Sequence, residues 1–321
     1  MTHAPSPRNR SLRLDDADRD RLAPLLAGAA ILGGGTDPIA WPEAEDRVIQ
    51  GDCLAVLPRL PRASFDLLVA DPPYNLAKDF GAERGRRMDD EAYEAYTGAW
   101  LDAALPLLKP DASVYVFGDW RGSSALYRAL SRRLVVRNKI VWEREKGRAA
   151  AANWKSAHEE IWFATTSETW RFDTAAVRQR RLVRAPYRDE AGRPKDWVED
   201  EAGRYRDTAA SNIWTDLTVP YWSMPENTPH PTQKPEKLLA KLLLASVAPG
   251  GRILDPFLGS GTSAVVAKKL GRRFVGVELD AEHCLHALRR LELAGTEPRI
   301  QGYEDGVFWE RNSSPRRGPT R

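Results

Sequence analysis

The chain is poor in the residues that would staple it or load it with metal. Among its 321 residues only Cys53 and Cys284 are cysteines, which argues against a disulfide framework or a zinc–cysteine cluster and points to a reducing compartment. Its histidines, His3, His158, His230, His283 and His286, show no zinc-ligand spacing, so no metal is expected. Long apolar runs are missing as well. "KLLLASVA", starting at Lys241, is far too short to cross a bilayer, and the first residues lack an apolar signal core. No membrane association is therefore expected, and a cytoplasmic location is. Charge of one sign is lacking too, with 48 Lys and Arg against 45 Asp and Glu. What is present is 42% hydrophobic residues, enough for one large domain or two modest ones.

Residues 1–46 have the look of an N-terminal extension, with a polar, basic start and then a short helix in "LDDADRDRLAPLLAG" that "GGGTDP" breaks. Strands and helices alternate from there. "RVIQGD" and "DLLVAD" are expected strands ending at Asp52 and Asp71. In "YEAYTGAWLDAALPLLKPDA" the side chains Tyr93, Tyr96, Trp100, Ala104 and Leu108 share one helical stripe, which Pro110 should stop. "SVYVFGD", "NKIVWERE" and "EEIWFATT" are β-rich, and regularity then fails from 166 to 229. "HPTQKP" opens a helix at 230, after which "RILDPFLGSGTSAVVAKKLG", "RFVGVELD" and "AEHCLHALRRLELAG" give strand, loop, helix, strand and helix. Such alternation predicts an α/β fold with a doubly wound, mostly parallel sheet, whose ligands sit at the C-terminal strand ends. Asp52, Asp71, Asp255 and Glu278 all fall at such ends.

"DPFLGSGT" spans 255–262. Gly259 and Gly261 allow close backbone approach, and the helix that follows favours a negative group at its start. The loop departs from the pyrophosphate fingerprint, because Ala264 stands where a third glycine belongs. An acid at the strand end, Asp255, suits a cationic group such as an amino-acid ammonium. Glu278, ending the next strand, can accept both hydroxyls of a ribose. An amino acid joined to adenosine without phosphates is S-adenosylmethionine.

"LLVADPPYNL", residues 67–76, ends a core strand with an acid and two residues that donate no backbone N–H. The exocyclic amine of adenine or cytosine is a poor nucleophile, because its lone pair is delocalised into the ring. Two acceptors, the Asp71 carboxylate and the Pro72 carbonyl, can draw that nitrogen toward tetrahedral geometry. Pro72 and Pro73 stiffen the acceptors, and Tyr74 offers a face for a base lifted from its stack.

At these residues, over about 47–300, the chain resembles the S-adenosylmethionine-dependent DNA amino-methyltransferases. Since Asp71 precedes Asp255, it is most similar to the permuted β-type branch. The resemblance implies a Rossmann-like, circularly permuted sheet of seven strands with one antiparallel member, "EEIWFATT". It implies a catalytic half at 47–165, a target-recognition region at 166–229, a cofactor-binding half at 230–310 and a disordered basic tail at 311–321. Catalysis would fall to Asp71, Pro72, Pro73 and Tyr74. S-adenosylmethionine would be held by Asp52, Thr232, Lys234, Asp255, Pro256, Phe257, Gly259, Gly261, Thr262 and Glu278, with Asp52 on the adenine amine and Thr232 and Lys234 beside the methionine end.

The implied partner is double-stranded DNA in a nucleoid-associated setting. A homodimer and a cognate restriction endonuclease stay open. "VRQRRLVRAPYR" at 177–188 then offers Arg178, Arg180, Arg181 and Arg184 as DNA contacts. Trp170, Trp197, Trp214 and Trp222 are expected in the core of that region, and His158 is expected to be a satisfied interior histidine. Asp in the catalytic motif favours adenine N6. Cytosine N4 is the alternative, followed by an RNA or protein amine, a silent DNA-binding subunit and, least consistent with the glycine pattern, a nicotinamide dehydrogenase.

Overall fold

The computed structural model describes residues 8–26, 37–75, 88–144, 152–183, 187–200 and 203–311. Its main sheet is built from β1 (Arg47–Gln50), β2 (Phe65–Ala70), β3 (Leu108–Gly118), β4 (Val135–Glu143), β5 (His158–Thr165), β9 (Ile213–Trp214), β10 (Arg252–Asp255) and β11 (Arg273–Glu278). The strand order is β1-β11-β10-β2-β3-β5-β4-β9. β5 runs antiparallel to both its neighbours, and the other pairings are parallel. The expected seven strands are thus eight, because Ile213–Trp214, inside the expected recognition region, adds a two-residue edge strand to β4.

Helices cover both faces: α1 (Asp16–Leu22), α2 (Trp41–Ala44), α3 (Cys53–Val56), α4 (Asp90–Ala104), α5 (Ser123–Ser131), α6 (Glu236–Ser246), α7 (Thr262–Lys269) and α8 (Ala281–Thr296). Strand side chains alternate between faces, so the continuous apolar run of β2 divides between two cores. Leu67 and Val69 pack with Leu238, Leu242, Val265 and Leu291 from α6, α7 and α8. Leu68 and Ala70 pack with Trp100, Leu101 and Leu126 from α4 and α5. A strand buried on both faces has no polar side to show, which is why "LLVA" does not alternate.

Tyr93, Trp100 and Ala104 lie buried on α4 as the stripe requires. Leu108 does not belong to it. Pro106 sits in a 3₁₀ turn, Leu105–Leu107, and Leu108 opens β3. The helix therefore ends one turn before Pro110. The extension is anchored where it is described: α1 lies on α8 through Arg19 and Glu282, 2.8 Å apart.

A second sheet, ordered β12-β13-β6-β8-β7, is formed by β6 (Gln179–Leu182), β7 (Val198–Asp200), β8 (Gly203–Thr208), β12 (Tyr303–Glu304) and β13 (Val307–Trp309). Residues 303–309 return to pair with β6, Phe308 opposite Gln179. Lys237 and Lys241 of α6 reach Asp216 at 2.7 and 2.6 Å, all three side chains buried, and Lys237 also donates to the Trp309 carbonyl of β13. Trp197 and Trp214 are buried, Trp170 packs against the core, and Trp222 is about half exposed. Among the described residues no helix is long and apolar enough to cross a membrane.

Candidate active site

β1, β11, β10 and β2 lie side by side in that order, and their parallel pairing brings their C-terminal ends together. Asp52 follows β1, Glu278 ends β11, Asp255 ends β10 and Asp71 follows β2. All four acids line one cavity of about 230 Å³. Pro72, Pro73, Tyr74, Thr232, Lys234, Pro256, Phe257, Gly259 and Thr262 line it as well. Gly261 does not. It caps α7 at φ +83°, and a Cβ there would stand 2.6 Å from that of Ala287, so its glycine serves a turn and the packing of α7 on α8.

Asp255 is buried. Its carboxylate accepts the Phe257 N–H at 3.0 Å and the Ser263 hydroxyl, and among the described residues no cation pairs with it. Burial pushes its pKa up to about 7, against which these two hydrogen bonds work. Glu278 accepts the Gly259 N–H at 2.7 Å and the Asp280 N–H at 2.9 Å, one on each oxygen. Each oxygen keeps acceptor capacity. Asp52 uses one oxygen to cap α3, accepting from Leu54 N–H at 2.8 Å. At this end of the cavity the rings of His230 and His283 are 4.4 Å apart. Burial, then the neighbouring His283, drives His230 down to about 3, leaving it neutral.

Lys234 lines the same cavity beside Asp71. Its Nζ donates to Asp71 Oδ2 at 2.5 Å and stands 3.6 Å from Glu159 Oε2. Burial disfavours the ammonium, but Asp71 and Glu159 together outweigh it and hold its pKa above the usual value. Burial raises the Asp71 carboxyl, which Lys234 only partly offsets. The Tyr74 hydroxyl donates to Glu159 Oε2 at 3.1 Å, and burial followed by the two acids keeps that phenol neutral. Arg144 pairs with the other Glu159 oxygen. Thr232 donates its N–H to His230 Nδ1 at 3.3 Å. Glu159, Arg144, His230 and His283 were not singled out from sequence. The signal for Glu159 was an acid at the head of the apolar strand "EEIWFAT", which burial obliges to find partners.

Of the four arginines, Arg180 is committed to the fold. It makes two bonds to Asp207, at 2.7 and 2.8 Å, and lies 4.3 Å over the Tyr205 ring. Arg178, just before the same strand, is exposed, and Arg181 donates to Gln179 Oε1 at 3.3 Å. Arg184, the loop after Asn75 and the last ten residues fall outside the described residues. His158 is not interior: its side chain is 38% exposed, 3.7 Å from Glu160.

A sheet of this order, with acids at adjacent strand ends and a glycine loop between them, defines a nucleotide-cofactor enzyme of the Rossmann-like class. The family model described as DNA methylase, of the N6 and N4 type, matches residues 65–289. DNA adenine methyltransferase YhdJ of Escherichia coli K12 is 30% identical over 273 residues, covering 81% of this chain and 87% of that protein. Type II methyltransferase M.HpaI of Haemophilus parainfluenzae is 30% identical over 251 residues, covering 77% and 74%. In fold, the chain is similar to TTHA0409 of Thermus thermophilus complexed with S-adenosyl-L-methionine, at a TM-score of 0.53 and 22% identity, covering 84% and 99%. The chain belongs to the N6/N4 DNA methyltransferases. It is a DNA methyltransferase whose methyl donor is S-adenosylmethionine.

Proposed function

We propose that this enzyme methylates the N6 amine of an adenine turned out of duplex DNA, with Asp71 as the acceptor that prepares the amine. The observation that carries the reading is the Asp71 carboxylate at the end of β2, sharing one cavity with Asp255 and Glu278. A buried carboxylate with no cationic partner among the described residues is the fit an amino-acid ammonium requires, so Asp255 would hold the methionine end of the cofactor. Glu278 would accept the ribose hydroxyls with its remaining lone pairs, and Asp52 would take the adenine amine with the oxygen that does not cap α3. Phe257, held edge-on against Trp100 with ring centroids 5.4 Å apart, would pack on the adenine ring.

S-adenosylmethionine, when bound, supplies an electrophilic methyl group. Everything else falls to side chains of this chain. Asp71 and the Pro72 carbonyl accept the two amine hydrogens, which frees the nitrogen lone pair and leaves Asp71 placed to take the proton released. Pro72 and Pro73 limit the loop's freedom, so those acceptors need little reorganisation. Tyr74, pinned through its hydroxyl to Glu159, presents its ring as a stacking surface. The permuted order finds support in the sheet, where β10 and β11, late in the chain, lie between β2 and β1. The second sheet, with Arg178 and Arg181 at β6, would meet the DNA. A cytoplasmic site of action follows from that substrate.

Adenine is favoured by the relative named as an adenine methyltransferase; the acceptor chemistry alone serves cytosine equally. Nucleoside mass spectrometry of DNA methylated by the purified enzyme tests the choice. N6-methyladenine is the expected product. N4-methylcytosine would keep the mechanism and overturn the base.

A further inference from the structure

Glu159 is buried beside Asp71, and no part of the mechanism above uses its charge. It is the second residue of β5, a strand that also buries Glu160 and Thr165. Its two oxygens do different things. Oε1 is paired with Arg144. Oε2 accepts from Tyr74 at 3.1 Å and faces Lys234 Nζ at 3.6 Å, too far for a hydrogen bond. Lys234 Nζ donates instead to Asp71 Oδ2, at 2.5 Å, and to the Thr232 carbonyl, at 3.3 Å. Its ammonium lies over two aromatic rings, with Nζ 5.4 Å from the centroid of Tyr74 and 5.3 Å from that of Phe117. Asp71 and Lys234 line the cavity, and Glu159 with Arg144 stands behind them, so two acids and two bases balance in charge.

This arrangement creates a conflict. Asp71 Oδ2 already accepts from an ammonium, so a substrate amine that takes this oxygen must share it with Lys234 or displace it. A cation expelled from Asp71 into this apolar surround would be costly unless another anion received it. Glu159 Oε2 is that anion. Closing from 3.6 Å to an ordinary charge-assisted distance takes about 1 Å of travel at Nζ, within reach of a lysine side chain whose backbone stays fixed.

We propose that Glu159 is the second berth of Lys234: it receives the ammonium when the substrate amine claims Asp71, and so acts as a positioning residue for methyl transfer. The proposal rests on Asp71 being the amine acceptor. Its exchange is one of hydrogen-bond partners alone, with no bond made or broken. The charged and titratable groups around Asp71 are Lys234 from the loop before α6, Glu159 from β5, Arg144 beyond β4, Tyr74, Tyr93 of α4 and Asp255 of β10.

Two substitutions separate this role from simple packing. Glu159→Gln keeps an oxygen for Tyr74 but gives the ammonium no anionic berth, so Lys234 holds Asp71 undivided. In single-turnover assays with the full chain, the rate constant should fall about ten- to hundredfold, with cofactor affinity by calorimetry unchanged. The acidic limb of the rate profile should move to lower pH, because an anion that raised Asp71 is gone and its cation is held closer. Lys234→Met should move that limb to higher pH, because burial of Asp71 is then unopposed. Opposite shifts support the proposal; a native rate in E159Q, or shifts of the same sign in both variants, overturn it.

Should E159Q melt well below the native protein, Glu159→Asp reads the same berth. It keeps the charge but withdraws it by one methylene, so the limb should stay in place while the rate falls, and a native rate overturns the proposal. Asp71→Ala distinguishes the two levels of argument. Near-native turnover there removes the Asp71 assignment and this proposal with it. An inactive D71A beside a native E159Q removes this proposal alone.

Discussion

Cofactor binding should titrate with Asp255. Its carboxyl sits at about 7 rather than in the usual aspartate range because burial penalises the anion, a difference worth ~4 kcal/mol. The sign follows from the raised value. Below about 7 the group carries a proton that must leave before a cationic ammonium can be bound, so affinity rises with pH through that point. At pH ~6 the apparent Kd should be about tenfold weaker than on the plateau, and at pH ~7 binding should release roughly half a proton. Above pH ~8 the amino group of the cofactor itself deprotonates and affinity falls again.

For the protein without added cofactor the linkage runs the other way. The stability that the protonated Asp255 contributes is complete below its unfolded pKa and is lost as pH rises through about 7. Calorimetric titrations from pH ~5.5 to ~8.5, in two buffers of different ionisation enthalpy, measure both affinity and proton release. Asp255→Asn should weaken binding and remove the acidic limb. Wild-type affinity that does not change between pH ~5.5 and ~7.5, or an Asn variant that keeps both affinity and limb, would refute the assignment.

Asp216→Asn should destabilise the protein by roughly 3–5 kcal/mol, because it leaves the buried Lys237 and Lys241 without their shared anion; urea melts read this directly. Arg178→Ala with Arg181→Ala should lower the salt slope of DNA binding by about 2, whereas Arg180→Ala should cost stability through the lost Asp207 pair, so equal effects on DNA affinity and no change in melting would contradict the division. Gly261→Ala should lower the melting temperature and cofactor affinity together, since it combines a left-handed φ with a Cβ 2.6 Å from that of Ala287.

What could be read from the sequence was local chemistry at strand ends. Asp-Pro-Pro-Tyr and the acid-led glycine loop announce themselves because proline, glycine and a carboxylate at an apolar strand's end each carry a backbone meaning that needs no partner. The doubly wound sheet was legible from the same alternation. Partner choice was not. Lys234 was expected beside the cofactor; that it also pairs with Asp71 could not be read, because which nearby acid a lysine reaches is decided by tertiary placement. Arg180 in a basic run looked like its neighbours until β8 supplied Asp207 opposite it. Short strands escaped as well. Tyr303–Glu304 and Val307–Trp309 are too brief to show a period of two, so their return to the second sheet was hidden. Glu159 was visible only as one of two adjacent acids, both of which are buried, and nothing local says which one lies beside Asp71.

The most direct test follows labelled methyl groups from S-adenosylmethionine into duplex DNA, with the wild-type chain and Asp71→Ala side by side and cofactor binding checked in both. Incorporation as N6-methyladenine is expected from the wild type, and none from the variant at unimpaired cofactor affinity. Near-native transfer by Asp71→Ala would contradict the role given to that carboxylate.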